Sequence, residues 1–153
     1  MGNCFYSQPF IKSCPKLEEC ELWTPTGGWC VKVYDGDTFT IAVYLEKKWT
    51  HWQVRINGID CPEIRTKDLN EKCIAQKAKD YVSERILSKW VLLKNCKRDK
   101  YGRLLADVYL RNENIGEQLL HKHLAVEYDG GTKIVPLDWN EYYTTTECRL
   151  NEN

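Results

Sequence analysis

Residues 29–56 read WCVKVYDGDTFTIAVYLEKKWTHWQVRI, and the alternation along this stretch decides the fold class. Trp29, Val31 and Val33 alternate with Cys30, Lys32 and Tyr34, which predicts a strand. Asp35-Gly36-Asp37 breaks the pattern as a tight turn. Phe39, Ile41, Val43 and Leu45 alternate again, a second strand, and Lys47-Lys48 reads as the next turn. Trp52, Val54 and Ile56 make a third strand, with Gln53, Arg55 and Asn57 on its other face. Asp60-Cys61-Pro62 ends it, because proline has no N–H to give a ladder.

Outward from that meander the period changes. A polar loop runs from about Ile64 to Lys72. Ile74, Ala78, Val82 and Ile86 then recur every four residues, the stripe of an amphipathic helix. Val91 to Cys96 reads as a fourth strand and Leu104 to Leu110 as a fifth, joined by a hairpin connection over residues 97–103. Asn114 and Glu117 have capping-box spacing and open a second helix, with Ile115, Leu119, Leu120 and Leu124 on its apolar side. Upstream of Gly28, prolines and glycines without periodicity predict an arm over residues 1–27, flexible or lipid-anchored. Residues 28–128 form the domain, and 129–153 an acidic, aromatic extension packing on it. Three strands, a helix, two strands and a helix is the order of a mainly β, five-stranded OB-fold barrel with helices packed on it.

Composition bounds the function without naming it. The 153 residues suit one domain with its own core. No apolar run approaches a membrane span, and the first residues lack the pattern of a secretory signal. The eight cysteines include no Cys-x-x-Cys pair, which argues against structural zinc. Without a secretory signal they read as free thiols in a reducing, intracellular and cytoplasmic setting. Formal net charge is zero, yet residues 72–103 carry ten Lys or Arg against three acids, and residues 126–153 two against six. The middle of the chain can attract phosphates or be a solvated helix face; charge alone does not choose.

Polar residues gather where strand ends should meet. Asp35 and Asp37 close the first hairpin, Arg55 lies on the polar face of the third strand, Asp60 and Glu63 flank Cys61-Pro62, and Arg103 closes the last hairpin. Carboxylates suit a hard cation, paired arginines clamp a phosphate, and a remaining carboxylate can act on water. Each has a structural reading as well: a turn, a surface ion pair, a loop cap, a hairpin tip.

Three ordered motifs carry a resemblance. They are Val33-Tyr-Asp-Gly-Asp-Thr-Phe39, Val54-Arg-Ile-Asn-Gly-Ile-Asp-Cys-Pro-Glu-Ile-Arg65 and Asp99-Lys-Tyr-Gly-Arg-Leu-Leu-Ala106. Together, over roughly Trp29 to Tyr128, they resemble the staphylococcal nuclease-like (thermonuclease) family. The resemblance implies a calcium-dependent nuclease acting on DNA and RNA, single-stranded or flexible, and leaving 3′-phosphate ends. It implies Asp37, Asp60 and the Cys61 backbone carbonyl as calcium ligands, with cysteine standing where the family often has threonine. It implies Arg55 and Arg103 on the scissile phosphate, Glu63 as the base or positioner of the attacking water, and Lys100 and Tyr101 on a terminal phosphate. Two departures stand out: a short loop between Glu63 and the first helix, and no in-register match for the family's tyrosine after the second helix, Tyr128 being offset.

Two further features are read on their own. Met1-Gly2-Asn3-Cys4 hints at acylation of Gly2 and Cys4, against which stands Tyr6 where the signal wants Ser or Thr; a membrane is a partner only if that occurs. Trp23, Trp29, Trp52, Trp90 and Trp139 can stack on bases, but most, Trp52 and Trp90 above all, read as core or sheet-packing residues. The expected state is a monomer. The competing functions are a non-catalytic OB-fold binding module and a lipid-anchored adaptor.

Overall fold

A computed structural model describes residues 24–132 and 134–150; the expected acylation sites Gly2 and Cys4, the arm before Thr24 and Trp23 lie outside the described residues. Strands β1 (Gly27–Val33), β2 (Thr38–Leu45) and β3 (Lys48–Ile56) form the antiparallel meander. Strands β5 (Trp90–Arg98) and β6 (Leu104–Leu110) form the second hairpin, after a short β4 (Ile59–Asp60). β1 pairs with β5, and β3 pairs in parallel with β6 through Val54, Arg55 and Ile56 against Leu104, Leu105 and Ala106. That last pairing closes the sheet into the five-stranded barrel expected from the element order.

Helix α1 (Leu69–Ile86) closes one side of the barrel. Its stripe of Ile74, Ala78, Val82 and Ile86 is fully buried, as the four-residue period predicts. Each of the larger members contributes roughly 1.5–3 kcal/mol by leaving water. The helix starts inside the expected loop, because Asp68 caps it by accepting from the Asn70 and Glu71 amides at 2.8 and 3.3 Å. After a two-residue strand β7 (Glu113–Asn114), α2 (Ile115–His121) is capped by Asn114, whose Oδ1 accepts from Gly116 and Glu117. It stops short of Leu124, the last residue expected on its apolar side: the chain turns at His123, whose φ is +52°, and enters β8 (Val126–Glu127), which pairs with β4.

Two local expectations need correction and a third is narrowed. Trp29 and Val31 point outward rather than in, because a bulge between Cys30 and Lys32 shifts the phase so that Cys30 and Val33 are the core residues of β1. Trp90, expected in the core or packed on the sheet, takes the second place: it is 46% exposed and packs edge-on to Trp29 across the β1–β5 pair. The third strand does not run on to Asp60: it ends at Ile56, and Gly58 with a φ of +78° turns the chain into β4. The segment after Tyr128 also holds an element the periodicity did not reveal, α3 (Trp139–Leu150), capped by Asp138 and packed on α1, with Trp139 buried in the core and Lys77 Nζ 4.1 Å from the Tyr143 ring centroid.

Candidate active site

The open end of the meander brings the sequence-predicted residues to one place. Arg55 pairs in register with Thr38, beside the turn that carries Asp35 and Asp37. The Asp37 carbonyl accepts from the Ile56 amide at 2.8 Å, which locks the first turn to the end of β3. One guanidinium nitrogen of Arg55, Nη1, lies 3.0 Å from the Asp37 carboxylate, and the other, Nη2, lies 2.7 Å from Asp60 Oδ1. Asp37 also accepts from Thr38 Oγ1 at 2.8 Å and from the Cys61 amide at 3.2 Å. Arg55 thus sits between two buried carboxylates, 3% and 7% exposed as residues.

Burial governs the electrostatics. It pushes the Asp37 carboxyl up from 3.8 to about 6, although the Arg55 charge and the bonds from Thr38 and Cys61 pull it back. The Arg55 guanidinium is raised: burial works against its charge but is outweighed by Asp37 and Asp60. The Cys61 thiol is driven well above its usual value by burial and by the neighbouring aspartates, which favours its protonated form.

A cleft of about 170 Å³ opens on this pair, walled by Asp35, Asp37, Arg55, Cys61, Glu63 and Arg103 among others. Glu63 stands exposed at the rim, and its amide donates to Glu71 Oε1 at 3.1 Å, from the first turn of α1. Arg103 reaches the cleft from the β5–β6 hairpin. Its Nε donates to Asp99 Oδ2 at 2.6 Å, while Asp99 Oδ1 accepts from the Tyr101 and Arg103 amides at 2.8 and 2.9 Å. Partial burial would raise the Asp99 carboxyl, but the bonds from Arg103 and Tyr101 outweigh it and hold it below its ordinary value. Lys100 and Tyr101 lie on the same hairpin beside Arg103, outside the cleft walls; the Tyr101 ring centroid is 5.1 Å from Lys100 Nζ and 5.4 Å from Arg103 Cζ.

Asp37 and Asp60, with a backbone carbonyl such as that of Cys61, make an all-oxygen donor set suited to a hard cation. The raised Asp37 carboxyl fits that reading, since the protein's own cations do not fully offset its buried charge. Among the described residues no three His, Cys, Asp or Glu side chains are grouped as a metal site. Sequence reasoning gave Tyr128 little weight and missed Glu71. Tyr128 places its ring 6.0 Å from the Arg55 guanidinium. Glu71 lies three residues after the cap Asp68, a spacing that signals a capping box, yet its carboxylate turns to Glu63 instead.

A closed OB-type barrel whose cleft sets two arginines among carboxylates defines a class suited to phosphate chemistry. The chain belongs to the staphylococcal nuclease homologue family, whose family model matches residues 53–140, more than half of its length. It is 34% identical over 107 residues to an uncharacterized protein of Methanocaldococcus jannaschii, covering 57% of this chain and 50% of the relative. It is 32% identical over 116 residues to a probable endonuclease LCL3 of Schizophyllum commune, covering 69% of this chain and 39% of that protein. It is 30% identical over 97 residues to the thermonuclease of Staphylococcus hyicus, covering 62% and 55%. The chain therefore spans about half or less of the length of the first two of these relatives.

Proposed function

We propose that the chain is a calcium-dependent nuclease that hydrolyses phosphodiester bonds of DNA and RNA. The observation that carries the reading is the convergence of Arg55, Arg103, Glu63 and Asp37 on one cleft, with Asp60 tied to it through Arg55. Family membership and relatives named as endonucleases and a thermonuclease support it. In this reading Arg55 and Arg103 hold the scissile phosphate and offset charge growing on its oxygens. An arginine has five N–H donors, so the contacts to Asp37 and Asp60 leave Arg55 with donors for a phosphate. Glu63 positions the attacking water or takes its proton. Asp37, Asp60 and the Cys61 carbonyl hold calcium, which when bound supplies a positive centre for the phosphoryl group. Lys100 and Tyr101 contact a terminal phosphate, and products carry 3′-phosphates.

The test is digestion of single-stranded DNA and RNA with calcium, with chelator, and with Glu63→Gln, followed by analysis of the product ends. Calcium-dependent cleavage that Glu63→Gln nearly abolishes is expected. Cleavage persisting in excess chelator would overturn the metal assignment. No cleavage under varied pH and calcium would leave a binding module.

A further inference from the structure

The cleft does not end at Glu63. It adjoins a second hollow of about 410 Å³ that shares Asp35 and Glu63 with it and is walled further by Tyr34, Ile64 and Arg65. Tyr34 is also a wall of a third hollow, of about 520 Å³, on the outer face of β1, β2 and β3, with Lys32, Thr40, His51 and Gln53. Neighbouring hollows thus share walls, Asp35 and Glu63 between the first two and Tyr34 between the outer two. The first is too small for more than a phosphate group, while the outer two fall within the roughly 300–1,000 Å³ of pockets that hold whole small molecules.

The register explains why this face is available. His51 and Gln53 alternate with the inward Trp52 and Val54, and Gln53 lies opposite Thr40, which lies opposite Lys32. The bulge in β1 turns Val31 to the same open surface. Tyr34 is fixed at the junction. Its amide donates to the Thr38 carbonyl at 2.9 Å, its hydroxyl accepts from Thr40 Oγ1 at 3.3 Å, and Lys32 Nζ lies 4.5 Å from its ring centroid. The residue nevertheless remains 39% exposed.

We propose that a single-stranded nucleic acid, held by its scissile phosphate in the catalytic cleft, runs past Tyr34 onto the outer face of β1–β2–β3. The proposal rests on the nuclease reading of the cleft and extends it. The chemistry fits a strand with unpaired bases. Tyr34 offers an anchored ring for a base, Gln53 and His51 offer amide and imidazole groups to base edges, and Lys32 and Arg65 are cations for backbone phosphates. Lys32 is the charged wall of the outer hollow, so no carboxylate there repels the strand. A duplex hides its base faces and gains nothing from Tyr34 or Gln53.

The test pairs binding with turnover. Anisotropy of a fluorescein-labelled 12-nucleotide single strand is measured with the full chain carrying Glu63→Gln, alone and with Tyr34→Ala or with Lys32→Ala plus Gln53→Ala. The same face variants in the active chain are assayed on the 12-mer and on bis(4-nitrophenyl) phosphate, too small to reach the outer face. Weakening of 12-mer binding by roughly five- to 100-fold is expected from loss of one stacked base. KM for the 12-mer should rise in step, with turnover of the small diester unchanged. A 12-base-pair duplex should be bound equally by parent and variants. Undiminished 12-mer binding by both variants overturns the proposal while leaving the nuclease reading intact. A chain that cleaves nothing but binds the 12-mer through Tyr34 overturns the nuclease reading and keeps the face. Equal losses on the 12-mer and the small diester would show that the variants disturb the cleft itself, and would also overturn it.

Discussion

The backbone amide of Glu63 donates to the carboxylate of Glu71, 3.1 Å away, and so ties the rim of the cleft to the first turn of α1. In an ordinary capping box that carboxylate would reach back to the amide of the cap residue. Here the Asp68 amide donates instead to Thr66 Oγ1 at 3.2 Å, which leaves Glu71 for Glu63. The short loop between them is thereby held at both ends. Glu71 is a positioning residue for the proposed general base.

Glu71→Ala should lower kcat by about two- to tenfold, the worth of one such bond, with KM unchanged. Glu71→Gln keeps the accepting oxygen and should restore most of the rate. A purely structural role for Glu71 would instead appear as a lower melting temperature in both variants with kcat intact. Steady-state kinetics beside thermal melts separates the two.

Asp37 should trade stability for function. Its folded carboxyl titrates at about 6, above the ordinary 3.8, so the fold favours the protonated form. The sign follows: below about pH 4 the group imposes no penalty, and its ionisation costs stability progressively as pH rises through about 6. Asp37→Asn removes that penalty. The variant should be more stable than the parent at pH 8 without metal by on the order of 1–3 kcal/mol, the gap closing toward pH 4. The same change should abolish calcium-stimulated cleavage. Urea melts at several pH values check the first part, and a variant less stable than the parent at pH 8 would contradict the assigned cause.

Much of the barrel was legible because local pattern and global fold agree. The fifth strand falls where its alternation places it, Leu104–Leu110, and the α1 stripe is the buried one. The phase of β1 was not legible, since Trp29 and Val31 are as apolar as Cys30 and Val33 and only the bulge decides between them. The helix α3 was hidden because its buried side is aromatic, Trp139 with Tyr142 and Tyr143 packed against the core, in an acidic stretch. The residues that line the candidate cleft were legible through the order of their motifs. The groups that hold them, Glu71 and Asp99, and the ring of Tyr128 on Arg55 depend on how separate elements meet. No short-range period carries that information.

Asp99 fixes Arg103 by one side-chain bond and two backbone bonds across the hairpin tip. Asp99→Asn keeps an oxygen for the two amides but loses the ion pair to Arg103 Nε. It should lower kcat by roughly three- to 100-fold, the range of coupled neighbours, and combining it with Arg103→Ala should add little. Because the Asp99 carboxyl is held below its ordinary value, the hairpin keeps its support at neutral pH and loses it only as pH falls below about 4. Additive losses in the double variant would mean that Asp99 acts elsewhere.

Gly36 provides the opposite signature to Asp37. A Cβ built there would lie 2.7 Å from Cys61 Sγ, 2.8 Å from Ala78 Cβ and 3.1 Å from Cys61 Cβ. The turn between the two aspartates is pressed onto α1 and onto the segment that follows Asp60, and only glycine leaves room. Gly36→Ala must push the turn outward or α1 inward, and overpacking of this kind costs about 1–3 kcal/mol. Moving the turn also shifts Asp37 away from Arg55 and the Cys61 amide, so stability and cleavage should fall together, whereas Asp37→Asn loses cleavage while gaining stability. Adding Ala78→Gly to Gly36→Ala removes one of the three close contacts and should recover part of the activity, at a helix cost of about 1 kcal/mol. Denaturant melts and cleavage rates of the single and double variants decide it: full stability in Gly36→Ala would show that the turn is not clamped between Cys61 and Ala78.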